Sequence, residues 1–291
     1  MLIGGQAVIE GVMMRSPHWT STAVHLPSGQ ITSFPSRFDS LLLQRRWLRI
    51  PVIRGAIVLY EALVLGVRAL FQSANAVLGD DEVMTPQQVT LSVIAGLGLA
   101  VGLFFVLPTV AARFLDRYLA NVYTLNLAEG GLRVAILIGY IAGIGRLPDI
   151  RRVFAYHGAE HKAVNAHEAG VPLDVPHVRA HSRFHPRCGT SFLLIVMLVS
   201  IFVFALLGKP ETWGDRLLRF AFIPVIGGIA FEFIRLSAKE KFARFLRPAI
   251  WPGLTLQKVT TREPSDDMLE VAIAALVACL DYQNARLEIP S

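Results

Sequence analysis

The sequence predicts a mainly α-helical, polytopic membrane protein with about four transmembrane helices, an extra amphipathic or re-entrant helix and a small N-terminal β-ribbon. Composition is the first reason: 53% of the 291 residues are hydrophobic and 17% are charged. Soluble domains carry about a quarter charged residues. The mean hydropathy of +0.50 agrees with this. Several apolar stretches also approach the roughly 20 residues that a helix needs to cross a bilayer.

Four stretches are predicted to span the membrane. In chain order they cover residues 89–112, 132–147, 189–208 and 217–236. Pro108 lies near the end of the first stretch, where a kink is expected. The fourth stretch carries Glu232 and Arg235, which are three residues apart and can therefore pair on one helix face.

Residues 50–78 have helical length and pattern, but charged residues interrupt them at seven-residue intervals. Arg54, Glu61 and Arg68 therefore share one stripe, because seven residues are close to two helical turns. The pattern favours an amphipathic helix at the membrane interface or packed on the bundle. A full span is the alternative, and it stays open.

The chain divides into three predicted parts. They are a cytoplasmic β-ribbon segment at 1–49, a membrane domain at 50–258 with a cytoplasmic His-rich loop at 148–188, and a C-terminal cytoplasmic amphipathic helix at 259–291. The ribbon is predicted from alternating stretches on either side of a Pro-Ser-Gly turn between His25 and Ile31. Ser265 or Asp266 is the expected N-cap of the last helix.

The distribution of basic residues predicts the orientation of the chain. If both termini and the loop at 148–188 are cytoplasmic, 22 of the 28 Lys and Arg residues fall on that side. Cytoplasmic loops carry this excess of positive charge in membrane proteins. The expected partner is thus the lipid bilayer. No nucleic-acid partner is expected, because the basic residues form no aromatic-interleaved cluster.

The segment YHGAEHKAVNAHEAG, residues 156–170, carries the strongest chemical pattern. It has helical character and ends at Gly170, a good C-terminal cap. His157 and His161 are four residues apart and share a face, with Glu160 on the same side. This His-x-x-Glu-His order matches the inverted zincin signature, in which the glutamate is a general base. The alternative is a solvated helix whose polar side chains bond locally.

A second cluster strengthens the metal interpretation. The stretch FHPRCGTSF places His185 and Cys188 at the cytoplasmic end of the third predicted span. Zinc accepts mixed nitrogen and sulfur ligands. The sequence therefore predicts a zinc site. The candidate zinc ligands are His157, His161, His185 and Cys188, and Glu160 is the candidate catalytic residue.

Glu10 is a lone carboxylate between glycine residues in an apolar setting. It could be an additional site residue, either a ligand or an acid/base. The favoured alternative is an ion pair with Arg15, because a carboxylate in apolar surroundings needs a partner.

Four stretches together resemble the bacterial YqhQ family of multipass membrane proteins. They are GGQAVIEGVMMRSP, YHGAEHKAVNAHEAG, SRFHPRCGTSF and LQKVTTREPSDDMLEVAIAAL, in the same order and over nearly the whole chain. The family is described as metal-dependent enzymes on the strength of such motifs. The resemblance implies a bacterial cell-membrane location and supports the motif positions Glu10, Arg15, His157, Glu160, His161, His185 and Cys188. It implies no substrate.

Two functions fit these observations. The first is a metal-dependent, membrane-embedded hydrolase acting at the cytoplasmic interface on a lipid, peptide or polyisoprenoid. Its metal would be held by His157, His161 and one of His185 or Cys188, which leaves a position for water. The second is a non-enzymatic scaffold or assembly factor for a membrane-protein partner, in which all four ligands close a structural zinc site.

Overall fold

The computed structural model describes residues 3–79, 83–116, 118–119, 121–208, 212–237 and 240–287. The chain begins with a four-stranded antiparallel sheet in sequential order. Its strands are β1 (Gly4–Val8), β2 (Gly11–Arg15), β3 (Trp19–His25) and β4 (Ile31–Arg37). The predicted ribbon is confirmed. Its turn after His25 places Gly29 at a φ of +83°, which a glycine adopts without strain.

Helices form most of the remaining chain. In order they are α1 (Leu41–Gln44), a 3₁₀ turn (Arg46–Arg49), α2 (Ile53–Leu78), α3 (Pro86–Val101), a π-helical turn (Gly102–Val106), α4 (Leu107–Asp116), α5 (Val122–Ile144), α6 (Pro148–Ala169), α7 (Val175–Ala180), α8 (Gly189–Leu206), α9 (Trp213–Ala221), α10 (Ile223–Ser237), α11 (Glu240–Thr260) and α12 (Asp266–Leu287). Among the described residues, four stretches are long and apolar enough to cross a membrane. They are Pro86–Ala112, Tyr123–Ile144, Gly189–Leu206 and Leu217–Ser237. The predicted fold class is confirmed, and the chain is a membrane protein.

The second span differs most from its prediction, which started at residue 132. Helix α5 begins ten residues earlier, because Asn121 caps it by accepting a hydrogen bond from the Tyr123 N–H at 2.8 Å. The early part of α5 contains the charged residues Glu129 and Arg133. In the fold these two side chains are buried and paired with each other.

The extent of the fourth span is confirmed, and the structure adds two details. The fourth span is broken after Ala221, since α9 ends there and α10 follows with Pro224 in its first turn. Helix α11 has no counterpart in the sequence prediction, and it contains Pro248 and Pro252, which are unusual inside a helix.

The predicted irregularity at Pro108 has a clear basis. Proline has no N–H, so the carbonyl of Phe104, four residues earlier, lacks its helical donor. The Arg133 Nε supplies one instead at 3.2 Å. The π-helical turn Gly102–Val106 lies directly before this proline. A side chain of α5 thus completes the backbone hydrogen bonding of the first span.

The sheet lies between two layers of helices. On one face, Val8 and Met13 pack against Leu65 of α2. On the other face, Val12 and Met14 pack in one core with α6 and α12. Alternate residues of each strand therefore face opposite helical layers. Helix α2 is not among the membrane-capable stretches, in keeping with its predicted amphipathic character.

Helix α2 is held against the fourth span by close backbone contact and by charge. A Cβ on Gly55 would lie 2.7 Å from the Gly228 Cα, so glycine is needed at this crossing. Arg54 forms a two-pronged ion pair with Glu232. The predicted contact between Glu232 and Arg235 is also present, at 3.8 Å.

The shared core constrains the topology. The N-terminal sheet, α6 and α12 pack together and therefore lie on one side of the membrane. Two membrane-capable stretches separate the sheet from α6, and two more separate α6 from α12. An even number of crossings returns the chain to the same side each time. The layer formed by α2, the sheet, α6 and α12 is called the membrane-surface layer below.

Candidate metal centre

Helix α6 presents His157, Glu160 and His161 from a buried stretch of its surface. It ends as predicted at Gly170, whose φ of +68° is left-handed. The helix passes very close to the segment between α11 and α12. A Cβ on Gly158 would lie 2.1 Å from the Arg262 carbonyl oxygen. Glycine at this position lets the backbone of that segment reach the neighbouring histidine.

Three candidate ligands converge. One ligand atom each from His157, His161 and Cys188 lies within 4.8 Å of the other two. Cys188 is the N-cap residue of α8, and its Sγ is 3.3 Å from the His157 Nε2. Zinc binds such atoms at about 2.0–2.3 Å, so one ion can reach all three donors after small side-chain adjustments.

Backbone carbonyls fix the orientation of both imidazoles. The His157 Nδ1 lies 2.9 Å from the Thr260 carbonyl oxygen, and the His161 Nδ1 lies 2.6 Å from the Arg183 carbonyl oxygen. A carbonyl can only accept, so each Nδ1 carries the hydrogen and each neutral ring keeps its lone pair on Nε2. Histidine ligands of metals are oriented by this kind of contact. The donor set therefore fits zinc.

The centre opens on a cavity of about 90 Å³. Its wall is formed by Ile3, Gly4, Gly5, His157, Glu160, His161, Val164, His185, Arg187, Cys188 and Gly189. Strand β1 is one side of this wall: a Cβ on Gly5 would lie 2.8 Å from the Glu160 Cγ. Such a volume has room for an ion with several water molecules.

Glu160 is the buried acid of the centre. Its side chain is 7% exposed, and its Oε2 lies 3.5 Å from the His161 Nε2. Within the described part of the chain its carboxylate accepts no hydrogen bond and faces no Lys or Arg within ion-pair distance. Burial raises the pKa of Glu160 to about 7, against a smaller lowering by His157. Such a group can take up and release a proton near neutral pH.

His185, the fourth predicted ligand, lies on the cavity wall beside this cluster. Its Nδ1 is 3.3 Å from the Arg187 N–H that donates to it, and its Nε2 is 3.5 Å from the Glu168 Oε2. Its ring centroid is 5.7 Å from that of His161. Burial lowers the pKa of His185 to about 4, with a further contribution from His161. Both ring nitrogens are thus engaged by groups outside the three-donor cluster.

Several residues that position the centre were missed by the sequence reasoning. The buried Gln257 side chain accepts a hydrogen bond from the His185 N–H at 2.9 Å and donates to the His185 carbonyl at 2.8 Å. Lys162 is also buried and donates to the carbonyls of Arg179 and His181. These contacts fix the segment between α6 and α8 that ends at Cys188. The stretch LQKVTT contained Gln257, but no sequence pattern connects it to a histidine 72 residues away.

The favoured pairing of Glu10 with Arg15 is wrong. Glu10 lies in the hairpin loop after β1, whereas Arg15 ends β2 and pairs across the sheet with Gly4. The length of the strand separates them. Glu10 instead forms a two-pronged ion pair with Arg152 of α6, and Arg15 pairs with Glu61 of α2. Each side chain therefore ties the sheet to a different helical layer.

Comparison with known proteins agrees with this architecture. Residues 50–282 match the family DUF1385, described as a protein of unknown function. The chain belongs to this family. It is 37% identical over 286 residues to the "Uncharacterized protein YqhQ" of Bacillus subtilis (strain 168), covering 93% of this chain and 89% of that protein. The resemblance to YqhQ inferred from the motifs is confirmed. No solved structure matches the chain.

Proposed function

We propose that this protein is a zinc-dependent hydrolase of the bacterial cell membrane, acting at the cytoplasmic interface. The observation that carries the proposal is the three-donor cluster of His157, His161 and Cys188, which opens on a cavity lined by Glu160. Catalytic zinc sites have three protein ligands and an open position, whereas structural sites are closed by four. The engagement of His185 by Glu168 and Arg187 supports the open arrangement.

Zinc in this site would polarise a substrate carbonyl and make water acidic enough to react at neutral pH. The chain's own residues perform the remaining tasks. Glu160 accepts a proton from the attacking water and delivers it to the leaving group. The carbonyls of Thr260 and Arg183 hold the two imidazoles in the required tautomer. Strand β1 forms one side of the cavity at Gly5.

The competing proposal is a scaffold or assembly factor with structural zinc. One observation favours it: Cys188 begins α8 and His157 belongs to α6, so a metal there would join the membrane-surface layer to the third span. The two proposals differ in the role of His185. A closed site needs His185 as its fourth ligand, whereas the open site does not.

Metal analysis of purified protein distinguishes them. We expect about one zinc per chain in the parent, loss of zinc in His161→Ala and Cys188→Ala, and retention of zinc in His185→Ala. Loss of zinc from His185→Ala with the same severity as from His161→Ala would favour the closed site. Metal-free parent protein that was never exposed to a chelator would end both proposals.

The Glu160→Gln substitution tests catalysis, because it keeps the shape of the side chain and removes its basicity. Complementation of a deletion strain should fall by roughly 10²-fold or more if Glu160 transfers the proton. Zinc content should not change. Glu270→Gln, the same substitution at an exposed position of α12, is the matched control and should complement fully. Full complementation by Glu160→Gln would contradict the hydrolase proposal.

The cytoplasmic placement of the membrane-surface layer is tested by cysteine labelling of intact cells. It is supported by the excess of basic residues on that side. We expect an impermeant thiol reagent to miss Asp174→Cys, which precedes α7, and to label Asn121→Cys, which precedes α5. The native Cys188 and Cys279 are both buried and give a low background. The reverse labelling pattern would overturn the orientation.

A further inference from the structure

We propose that the free edge of β1 is a docking site for an extended peptide, which adds to the sheet as a fifth strand and crosses the metal cavity. The substrate class is therefore a polypeptide segment at the membrane surface. Its cleavage rests on the hydrolase function proposed above, whereas the docking itself requires only the sheet. Addition of a strand to an exposed edge is a general mode of peptide recognition.

The hydrogen-bond register shows which groups face the edge. In the described residues, β1 pairs with β2 alone. The pair Val8–Gly11 closes the hairpin, so Val8 is turned toward β2. Along an antiparallel strand the peptide groups alternate between the two sides. Those of Gly5 and Ala7 are therefore turned away from β2, and no hydrogen bond occupies them within the described chain.

The two edges of the sheet differ in chemistry. The opposite edge, β4, contains Pro35, which has no N–H to offer to another strand. Proline and charge are the usual means by which proteins block an edge. Strand β1 has the sequence GGQAV, with neither proline nor charge. The edge beside the metal centre is therefore open along Gly5 and Ala7, whereas the next outward N–H, that of Ile9, donates to the Ser73 hydroxyl of α2 at 3.2 Å.

The open edge of β1 lies next to the candidate metal cavity. Gly4 and Gly5 are exposed and line the same cavity as His157, Glu160 and Cys188. A strand added to β1 would lie about 4.8 Å from it, in the plane of the sheet and next to the two glycines that form part of the cavity wall. The inference is that the backbone of the added strand runs past the mouth of this cavity. The glycines have no side chains to obstruct this approach.

The chemistry of the edge selects a peptide over a lipid. Two consecutive outward peptide groups, at Gly5 and Ala7, offer alternating donors and acceptors that match an extended backbone. A lipid headgroup has no such repeat. The cavity is small, about 90 Å³, which favours a small side chain next to the reacting bond. Its proximity to Gly189, the first residue of the third span, places the bound segment close to the bilayer.

The reaction that follows is the hydrolysis of an amide bond. Water adds its oxygen to the carbonyl carbon, and the C–N bond breaks. Glu160 carries one proton from the water to the departing nitrogen, so the products are a carboxylic acid and an amine. Atoms and electrons balance with water as the only co-reactant.

The test measures docking on Glu160→Gln protein in detergent micelles, because this variant should bind without cleaving. The probe is a fluorescent pool of ten-residue peptides made of Gly, Ala, Ser and Val, and binding is followed by anisotropy. The same pool with every amide N-methylated cannot pair as a strand. We expect methylation to weaken binding at least about tenfold, which corresponds to the loss of one or two backbone hydrogen bonds.

Two proline variants locate the bound strand. Ala7→Pro removes an outward N–H from β1 without removing a hydrogen bond to β2, and it should weaken peptide binding about tenfold. Ser33→Pro makes the same change on β4, two residues from Pro35 on the blocked edge, and should leave binding unchanged. Equal binding of methylated and unmethylated pools would overturn the inference without reference to any variant. Displacement of the peptide by anionic lipid added to the same micelles would also overturn it.

The outcomes separate this inference from the proposed function. Edge-dependent binding to protein that holds no zinc would keep the docking site and reject the hydrolase. Zinc binding and a requirement for Glu160 without edge-dependent binding would keep the hydrolase and reject the peptide as its substrate.

Discussion

Two buried carboxylates, Glu129 and Glu160, have opposite surroundings. Glu129 lies in the membrane-spanning α5, where it pairs with Arg133 and lies 3.5 Å from the Arg219 Nη1. The Thr109 hydroxyl also donates to it at 3.0 Å. Glu160 lies at the membrane surface, and among the described residues its carboxylate has neither a hydrogen-bond donor nor a guanidinium partner.

The difference separates a compensated cluster within the membrane from the cluster that we propose to be functional. A charge buried in protein is retained at tolerable cost only when partners compensate it. The cluster around Glu129 is compensated, and the Phe204 ring packs against both guanidinium groups, at 5.3 Å and 4.9 Å. It holds α5, α8 and α9 together. Glu160 lacks this compensation among the described residues, which agrees with the proposed role of its site.

Removal of Glu129 should have the largest effect on stability. Glu129→Ala leaves Arg133 and Arg219 without their shared carboxylate inside the membrane, and breaking such a buried pair costs about 3–5 kcal/mol. Thermal unfolding in detergent measures the loss. The counterpart is Glu160→Gln, which should be at least as stable as the parent, because it removes a buried charge that no Lys or Arg compensates. Equal destabilisation by both substitutions would contradict the proposed difference between Glu129 and Glu160.

Gly158→Ala should affect the metal centre through packing alone. The new Cβ would meet the Arg262 carbonyl at 2.1 Å and push away the segment that holds Thr260 against His157. Overpacking of this kind costs about 1–3 kcal/mol. Loss of an orienting contact lowers metal affinity by about 10- to 100-fold. Gly131→Ala is the control, because a Cβ there meets no heavy atom within 4 Å. Zinc titration should separate the two variants, and equal affinities would contradict this role of Gly158.

The smallest effect is expected at Glu10, a partly exposed counterpart to both buried carboxylates. The Arg152 guanidinium donates to Glu10 and lowers its pKa, although burial opposes this. Because the folded pKa lies below the unfolded value, the pair stabilises the fold above the unfolded pKa of about 4.3. This stability is lost as the pH falls through the folded pKa. Glu10→Gln should therefore cost up to about 1 kcal/mol at pH 7.

Unfolding curves recorded across the acid range check the Glu10 prediction. The difference between Glu10→Gln and the parent should shrink as the pH falls, since Glu10 itself becomes neutral. A difference that stays constant from neutral to acid pH would show that charge pairing with Arg152 is not its cause.

The membrane-spanning helices could be predicted from the sequence where a long apolar run defines them. Helices α3 and α8 followed from uncharged runs alone. Helix α5 was placed too late, and one partner of its buried Glu129, Arg219, is 90 residues away in sequence. A local sequence pattern does not reveal ion-pair partners that are far away in the chain. The same reason explains the wrong partner for Glu10, which pairs 142 residues away with Arg152.

The side chains of the candidate site could be predicted from the sequence, but the groups that orient them could not. His157, Glu160, His161 and Cys188 followed from residue type and helical spacing. The orienting groups are backbone carbonyls of Thr260 and Arg183, and every residue has a carbonyl. The sequence also left Gly5 without a role, because its contact with Glu160 depends on how β1 packs on α6.

The core shared by the two ends of the chain bears on biosynthesis. Ser16 of the N-terminal sheet donates a hydrogen bond to Gln283 of the last helix, 267 residues later. A ribosome adding about 5–20 residues per second needs roughly 15–50 seconds to make that stretch. During this time the sheet lacks the helix that covers it. The core that the sheet shares with α6 and α12 can therefore be completed only after all four membrane-capable stretches have been synthesised.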